Sequence, residues 1–377
     1  SGTAHFDDLF AVDVRPHDWP SARHQVDAVP GPFAARVTAD AGAVIRTVPA
    51  AFYGQNVEWV HNANGLWDAA GNRSDPAASA LVRDLNVKLI RFPGGIMADY
   101  YDWRQAIGPV SGRPVMQTMP EGAIDKPYFG TDEALRFASD VGGELLITVN
   151  AGTGTPEMAA DWVRYVNKKA LKVRYWEIGN ELYVRNGAMF APVTMSPEAY
   201  ALKVVQFSKA MKKADSRIKI GAIACESTSN LDCPGYPGWT ETLLRQAAGD
   251  IDFLAVHNSY APGVELDAGV STLSAYMSML AAPQHIRRSL EGISRKVSVY
   301  APQRAGVIKI AVTEWGPYFS ASYANRFAEH TKTMASAVFA ASALKVFLES
   351  GQTEITNAFQ MTDGLFMGWI GNRNGQL

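Results

Sequence analysis

The stretch YWEIGNELY, Tyr175 to Tyr183, decides how the rest of the chain is read. An apolar run of β type carries into the turn-prone pair Gly179-Asn180 and ends on the carboxylate Glu181. A second carboxylate, Glu314, stands in IAVTEWGPYF, again where a Val-rich run gives way to aromatic and turn residues. Two glutamates at the ends of two strands of one barrel can work as an acid/base pair.

Outward from these stretches, β runs and helical patterns alternate. The β runs start near Ala50, Val87, Glu144, Val173, Arg217, Ile251, Val307 and Thr353. Amphipathic helical segments lie between them, including DPAASALVRDLN, GTDEALRFASDVG and TPEMAADWVRYVNKKA. Thr155-Pro156-Glu157 and Ser196-Pro197-Glu198 each combine a capping hydroxyl, a first-turn proline and an early acid, which predicts helix starts. The reading is an α/β fold, a (β/α)8 TIM barrel over residues 49–377. An open doubly wound sheet is the alternative, but no GxGxxG follows the first run.

Residues 1–48 form an N-terminal extension, rich in Pro, Asp and Ala, in which ARVTADAGAVIRTVP alternates like a strand or hairpin. The sequence ends at GNRNGQL soon after the eighth run, without an eighth helix, so the barrel is expected to be truncated after strand 8. The outer face of that strand then needs a cover. The candidates are the N-terminal segment, a second copy in a homo-oligomer, or residues beyond the chain.

With 47% hydrophobic and 19% charged residues in 377, the chain holds ample material for a large core. A net charge of -2 gives no reason to expect nucleic acid or an anionic membrane as partner. No apolar run reaches 18 residues, so no transmembrane helix is expected. Cys225 and Cys233, in CESTSNLDC, suggest a local disulfide, with two unpaired thiols as the alternative. Lacking nearby histidines, they do not make a zinc site, and no metal or cofactor is expected. The opening SGTAHFDDLF has no signal-peptide pattern; Ser1-Gly2 reads as a processing or cloning remnant, compatible with a removed leader, and a secreted or periplasmic location is expected.

Reactive groups of such a barrel gather at the C-terminal ends of its strands. Glu58, Arg91, Asn150, Asn180, Glu181, His257, Tyr260, Glu314 and Gln360 all fall there. Each has a plainer reading: Arg91 paired with a structural acid, Tyr260 in the core, His257 and Asn150 satisfied at strand ends. Trp315, next to Glu314, is the best candidate for a sugar-stacking platform, whereas Glu177 reads as structural.

GNE ending the fourth strand and TEW ending the seventh resemble the retaining glycoside hydrolases with (β/α)8 barrels. More closely, FYGQNVEWV, RFPGG with YYDWRQAIGP, FGTDEAL, TVNAGTGTPEMAADWVRYVN and YWEIGNE together resemble family-51 glycoside hydrolases, the alpha-L-arabinofuranosidases. The likeness runs from about Phe52 to Gln360. It implies Glu181 as general acid/base and Glu314 as nucleophile, one of the two resting protonated with a raised pKa. It also places Asn180 to bond the sugar 2-hydroxyl, Arg91 and Tyr260 to hold the nucleophile ionised, and Glu58 and Gln360 to grip the sugar. His257 and Trp315 complete the expected substrate-binding set.

Two departures stand out. Ile96 occupies the position after RxPGG where the family usually carries Asn, so the sugar in the cleavage subsite is expected to differ. The family's C-terminal β-sandwich is missing, though strands before Ala50 could be its N-terminal contribution. The resemblance implies a retaining O-glycosidase acting on an oligo- or polysaccharide. An endo-glycanase like those of families 44 or 39 and a non-catalytic carbohydrate-binding relic are the alternatives.

Overall fold

Each of the eight apolar runs becomes a parallel strand, and the strands close on themselves. They are β1 Tyr53–Asn56, β2 Leu89–Phe92, β3 Glu144–Val149, β4 Tyr175–Ile178, β5 Lys219–Ile223, β6 Phe253–Val256, β7 Lys309–Gly316 and β8 Thr353–Ala358. Each pairs with its chain neighbours; β6 pairs β7, and β8 returns to β1, which leaves the barrel no open edge. This computed structural model describes residues 42, 44, 46–169, 173–185, 190–225, 236–257, 259–260, 271–317, 331–363 and 367–371.

Among the described residues, seven helices alternate with the strands: α1 Pro76–Asp84, α2 Thr131–Val141, α3 Pro156–Asn167, α4 Pro197–Ala214, α5 Trp239–Ala247, α6 Thr272–Tyr300 and α7 Met334–Glu349. The capping signals act as the sequence suggests. Thr155 Oγ1 accepts from Met158 N at 3.1 Å, and Ser196 Oγ accepts from Ala199 N at 3.2 Å, each ahead of a first-turn proline. Asp75 does the same for α1, accepting from Ala78 N at 2.8 Å. The 29-residue α6, with Pro283 inside it, is capped by Ser271, whose Oγ accepts from Ser274 N at 3.0 Å.

Two apolar regions result. Helices pack on the outside of the sheet, while Leu89, Leu146, Phe253, Ala255, Ala311 and Ile355 fill the barrel interior. Gly221 belongs to this inner filling: a Cβ there would lie 2.0 Å from Cε2 of Phe253, so the phenyl ring occupies the volume a side chain would need. Cover for the last strand comes from nearby chain. Trp369 sets its ring 5.6 Å from that of Trp315 on β7 and 6.2 Å from that of Tyr53 on β1, the two neighbours of β8. Arg46 donates to the Leu348 and Thr353 carbonyls at 3.0 and 2.9 Å. The expected strand or hairpin before Ala50, the Cys225–Cys233 bridge and the segment GNRNGQL lie outside the described residues in whole or in part.

β7 contains a bulge. Val312 pairs with Thr356 and Trp315 with Ala358, so three steps on β7 oppose two on β8. The extra residue breaks the alternation of sides that an ordinary strand imposes.

The close approach at Gly221 is testable. Gly221→Ala should destabilise the barrel by about 1–3 kcal/mol in urea denaturation, because the interior cannot take the added methyl without displacing Phe253. Phe253→Leu in that background should recover part of the loss. A neutral Gly221→Ala would mean the ring is not held there.

Candidate active site

At the C-terminal end of the barrel, Arg91 of β2 is wholly buried and every nitrogen of its guanidinium is used. Nε donates to Glu177 Oε2 at 2.5 Å, Nη1 to Glu314 Oε1 and Asn56 Oδ1 at 2.9 Å each, and Nη2 to Asn180 Oδ1 at 2.8 Å. Burial works against the charge, but the carboxylates of Glu177 and Glu314 outweigh it and hold the guanidinium more firmly protonated than usual. Four strands are thus tied to one cation.

Glu181 is presented by a turn of unusual backbone. Gly179 has φ 74° and Glu181 φ 46°, both in the left-handed region, which a non-glycine residue adopts at a cost. A Cβ on Gly179 would meet Leu182 Cδ1 at 2.7 Å. The turn is pinned by Asp99, wholly buried, whose Oδ2 accepts from Asn180 N at 2.8 Å while Oδ1 accepts from Ala151 N and Gly152 N at 3.0 and 2.9 Å. Burial pushes the Asp99 carboxyl up to about 7, against the pull of those three N–H groups and of Lys203.

From β7 the bulge turns both Thr313 and Glu314 toward the site. Thr313 Oγ1 donates to Glu177 Oε1 at 3.0 Å and lies 3.0 Å from His257 Nε2. Trp315 goes the other way. It is fully buried, its ring 5.4 Å from that of Phe347 on α7, so it offers no face to a sugar and the expected platform role is corrected.

His257 Nδ1 lies 2.9 Å from Glu181 Oε1 and 3.7 Å from Glu314 Oε1. One oxygen of each glutamate and one ring nitrogen of His257 all fall within 4.8 Å of one another. Among the described residues this is the one trio that could converge on a cation, although Arg91, 2.9 Å from Glu314, already supplies positive charge there.

Burial raises the Glu181 pKa, but the hydrogen bond and charge of His257, with the charge of Arg91, outweigh it and hold the carboxyl below its ordinary value. Burial likewise lowers His257, yet the charges of Glu314 and Glu181 and the hydrogen bond to Glu181 raise it overall. The sequence argument expects a raised carboxyl; here the Glu181 carboxyl is lowered and the His257 imidazole raised.

A second group borders the first. Gln360 Nε2 donates to Glu58 Oε2 at 3.4 Å, and Asn64 Nδ2 reaches Glu58 Oε2 at 3.3 Å and Gln360 Oε1 at 3.4 Å. Asn64 ends a run of four left-handed residues, His61 to Asn64, in the segment that follows β1. Asn150 is not in the cluster's bonding: its Oδ1 accepts from Thr153 N and Gly154 N, closing the turn after β3. The backbone of Tyr260 pairs with Gly316 beside β7, and its side chain lies outside the described residues. The site residues that sequence reasoning overlooked are Asn56, Asp99, Thr313 and Asn64, and Glu177 is more central than a structural reading allowed. A charge in the middle of the apolar run YWEIG was the available signal, since such a residue needs a buried partner.

The family model described as "Alpha-L-arabinofuranosidase 1 domain" matches residues 81–256. Over this stretch the chain resembles the alpha-L-arabinofuranosidases. An "Intracellular exo-alpha-(1->5)-L-arabinofuranosidase" of Bifidobacterium longum is 28% identical over 260 residues, 64% of this chain and 44% of the relative. The chain therefore spans less than half the length of that relative. Among solved structures, the alpha-L-arabinofuranosidase of Thermotoga maritima in complex with arabinose superposes with a TM-score of 0.70 at 24% identity, covering 85% of this chain and 66% of that one. This shows the same fold for the arabinofuranosidase-like barrel. A family-44 xyloglucanase of Paenibacillus polymyxa follows at a TM-score of 0.57 and 12% identity, with 85% and 73% covered. The Bifidobacterium protein and three other bacterial relatives are named intracellular, which overturns the expectation of a secreted or periplasmic protein.

The paired shifts fix a sign for stability. A lowered Glu181 contributes above its ordinary value of 4.5 and a raised His257 contributes below its ordinary value of 6.5, that part fading as pH climbs through the raised value. The melting-temperature difference between wild type and Glu181→Gln should be largest near about pH 6 and shrink toward about pH 9. A difference that grows with pH contradicts the pairing.

Proposed function

We propose that this chain carries the catalytic barrel of a retaining alpha-L-arabinofuranosidase that cleaves terminal arabinofuranose from oligo- or polysaccharides. The observation that carries the reading is the spacing of Glu181 and Glu314, whose nearest carboxylate oxygens lie within 4.8 Å. Retaining enzymes hold their carboxyl groups about 5–5.5 Å apart, while inverting ones leave room for water at about 6.5–9.5 Å.

In the first step a Glu314 oxygen attacks the anomeric carbon as its bond to the leaving oxygen breaks and Glu181 gives that oxygen a proton. Arg91, 2.9 Å from Glu314 Oε1, pairs with the nucleophile and aims it. In the second step Glu181, now a carboxylate, takes a proton from water, whose oxygen displaces Glu314 and releases the sugar with its configuration retained. Asn180 Oδ1 is held by Arg91, and its buried Nδ2 has no partner among the described residues, which leaves that N–H to serve the sugar 2-hydroxyl. Glu58 and Gln360 border the sugar site. Exo action is supported by the names of the bacterial relatives, and the weaker family-44 likeness favours the endo reading less.

Glu314→Ala and Glu181→Ala should each lower kcat by roughly three decades or more. Azide should rescue the first with an inverted product and the second with a retained one. Near-wild-type hydrolysis by either variant would refute the role assignments.

Ile96 supports a narrower expectation about the sugar. Half-buried after the Gly94-Gly95 turn, its side chain cannot hydrogen-bond, and a lost bond is worth about 1 kcal/mol. Ile96→Asn should therefore raise kcat/KM on an aryl alpha-L-arabinofuranoside severalfold. Efficient cleavage by wild type together with a poorer variant would count against this role.

A further inference from the structure

The buried chain of contacts Glu177–Thr313–His257–Glu181 fixes where its hydrogens lie. Glu177 accepts from Arg91 Nε at 2.5 Å, from Thr148 Oγ1 at 2.9 Å and from Thr313 Oγ1 at 3.0 Å. A threonine hydroxyl has a single hydrogen. With that hydrogen given to Glu177, Thr313 Oγ1 can only accept from His257 Nε2, 3.0 Å away, so Nε2 carries a hydrogen. Nδ1 is then the ring atom that faces Glu181 Oε1 at 2.9 Å, and a single hydrogen lies between the two. On the ring it makes an imidazolium–carboxylate pair; on Glu181 it makes the carboxylic acid that the first step requires. The competing state, a neutral ring protonated on Nδ1 only, leaves Nε2 a bare acceptor. Thr313 would then have to turn its hydrogen away from Glu177, which costs a buried hydrogen bond.

We propose that Glu177 and Thr313 are positioning residues for the acid step: they hold the hydrogen on Nε2 of His257, so that the hydrogen between Nδ1 and Glu181 is retained as the one delivered to the departing sugar oxygen. This rests on the reading of Glu181 as the acid/base. Among the described residues, the charged and titratable groups facing the His257–Glu181 pair are Arg91 of β2, Glu177 of β4 and Glu314 of β7, with Tyr200 of α4 behind Glu177. The raised His257 and lowered Glu181 agree with a hydrogen held jointly and resting toward the ring. A second group that shares the proton also explains how a carboxyl held low can still act as an acid.

The test compares two aryl alpha-L-arabinofuranosides, one with a dinitrophenyl leaving group that needs no acid help and one with a methoxyphenyl group that does. Thr313→Val keeps the β-branched shape and removes the hydroxyl. We expect its kcat/KM on the methoxyphenyl substrate to fall about tenfold or more, and on the dinitrophenyl substrate less than about threefold. The basic limb of its pH profile should move to lower pH, because the imidazolium has lost the acceptor for its Nε2–H. Thr313→Ser, which keeps the hydroxyl, should restore the slow substrate and the pH profile. If the valine variant does not fold, Thr313→Ala carries the same readouts. Equal losses on both substrates with an unmoved basic limb overturn the proposal. Glu181→Ala separates the two levels of inference. If it lacks a strong leaving-group dependence, the role of Glu181 fails; if it shows one and Thr313→Val does not, only the present proposal fails.

Discussion

The structure turns on the buried guanidinium of Arg91. A cation with no exposed surface is unfavourable unless it is fully paired, and removing one partner of such a pair typically costs about 3–5 kcal/mol. Arg91 meets the requirement with Glu177, Glu314, Asn56 and Asn180, drawn from three other strands or the turns that end them. Each partner is also placed by that contact. Glu314 is held beside Glu181 and His257, Asn180 is oriented with its amide nitrogen left over, and Glu177 is anchored to receive Thr313. Closure of the barrel and assembly of the site are in this sense one event, since the strands must be in register before the cation is satisfied.

The backbone around this cation is correspondingly unrelaxed. Glu181 sits in left-handed conformation, as does the run from His61 to Asn64, and both stretches carry side chains of the site. Such conformations persist where surrounding contacts over-determine them. Asp99 does this for the Glu181 turn with three backbone N–H groups from two loops.

Much of this was legible in the sequence because it is local. Helix starts at Thr155 and Ser196, the eight apolar runs and the strand-end glutamates depend on neighbours within a few positions. What was not legible depends on distant partners. Glu177 looks structural until Arg91, 86 positions away, is brought against it, and the pKa of Glu181 is set by His257, 76 positions on. Trp315 fails as a sugar platform because a bulge, invisible to alternation, sends it toward α7. Localisation was misjudged for another reason: inference from two cysteines and a missing leader carries less weight than the intracellular names of the relatives.

That bulge limits how the site can be moved elsewhere. A regular strand sends successive side chains to opposite sides, so it could supply either the Thr313 hydroxyl or the Glu314 carboxylate, never both. The extra residue between Val312 and Trp315 lets neighbouring positions serve the same chamber. Anyone transplanting these side chains onto an idealised barrel would have to carry the irregularity along with them. A single-residue deletion in this strand, harmless to its hydrophobicity, would trade the proposed nucleophile for a residue aimed at the helices.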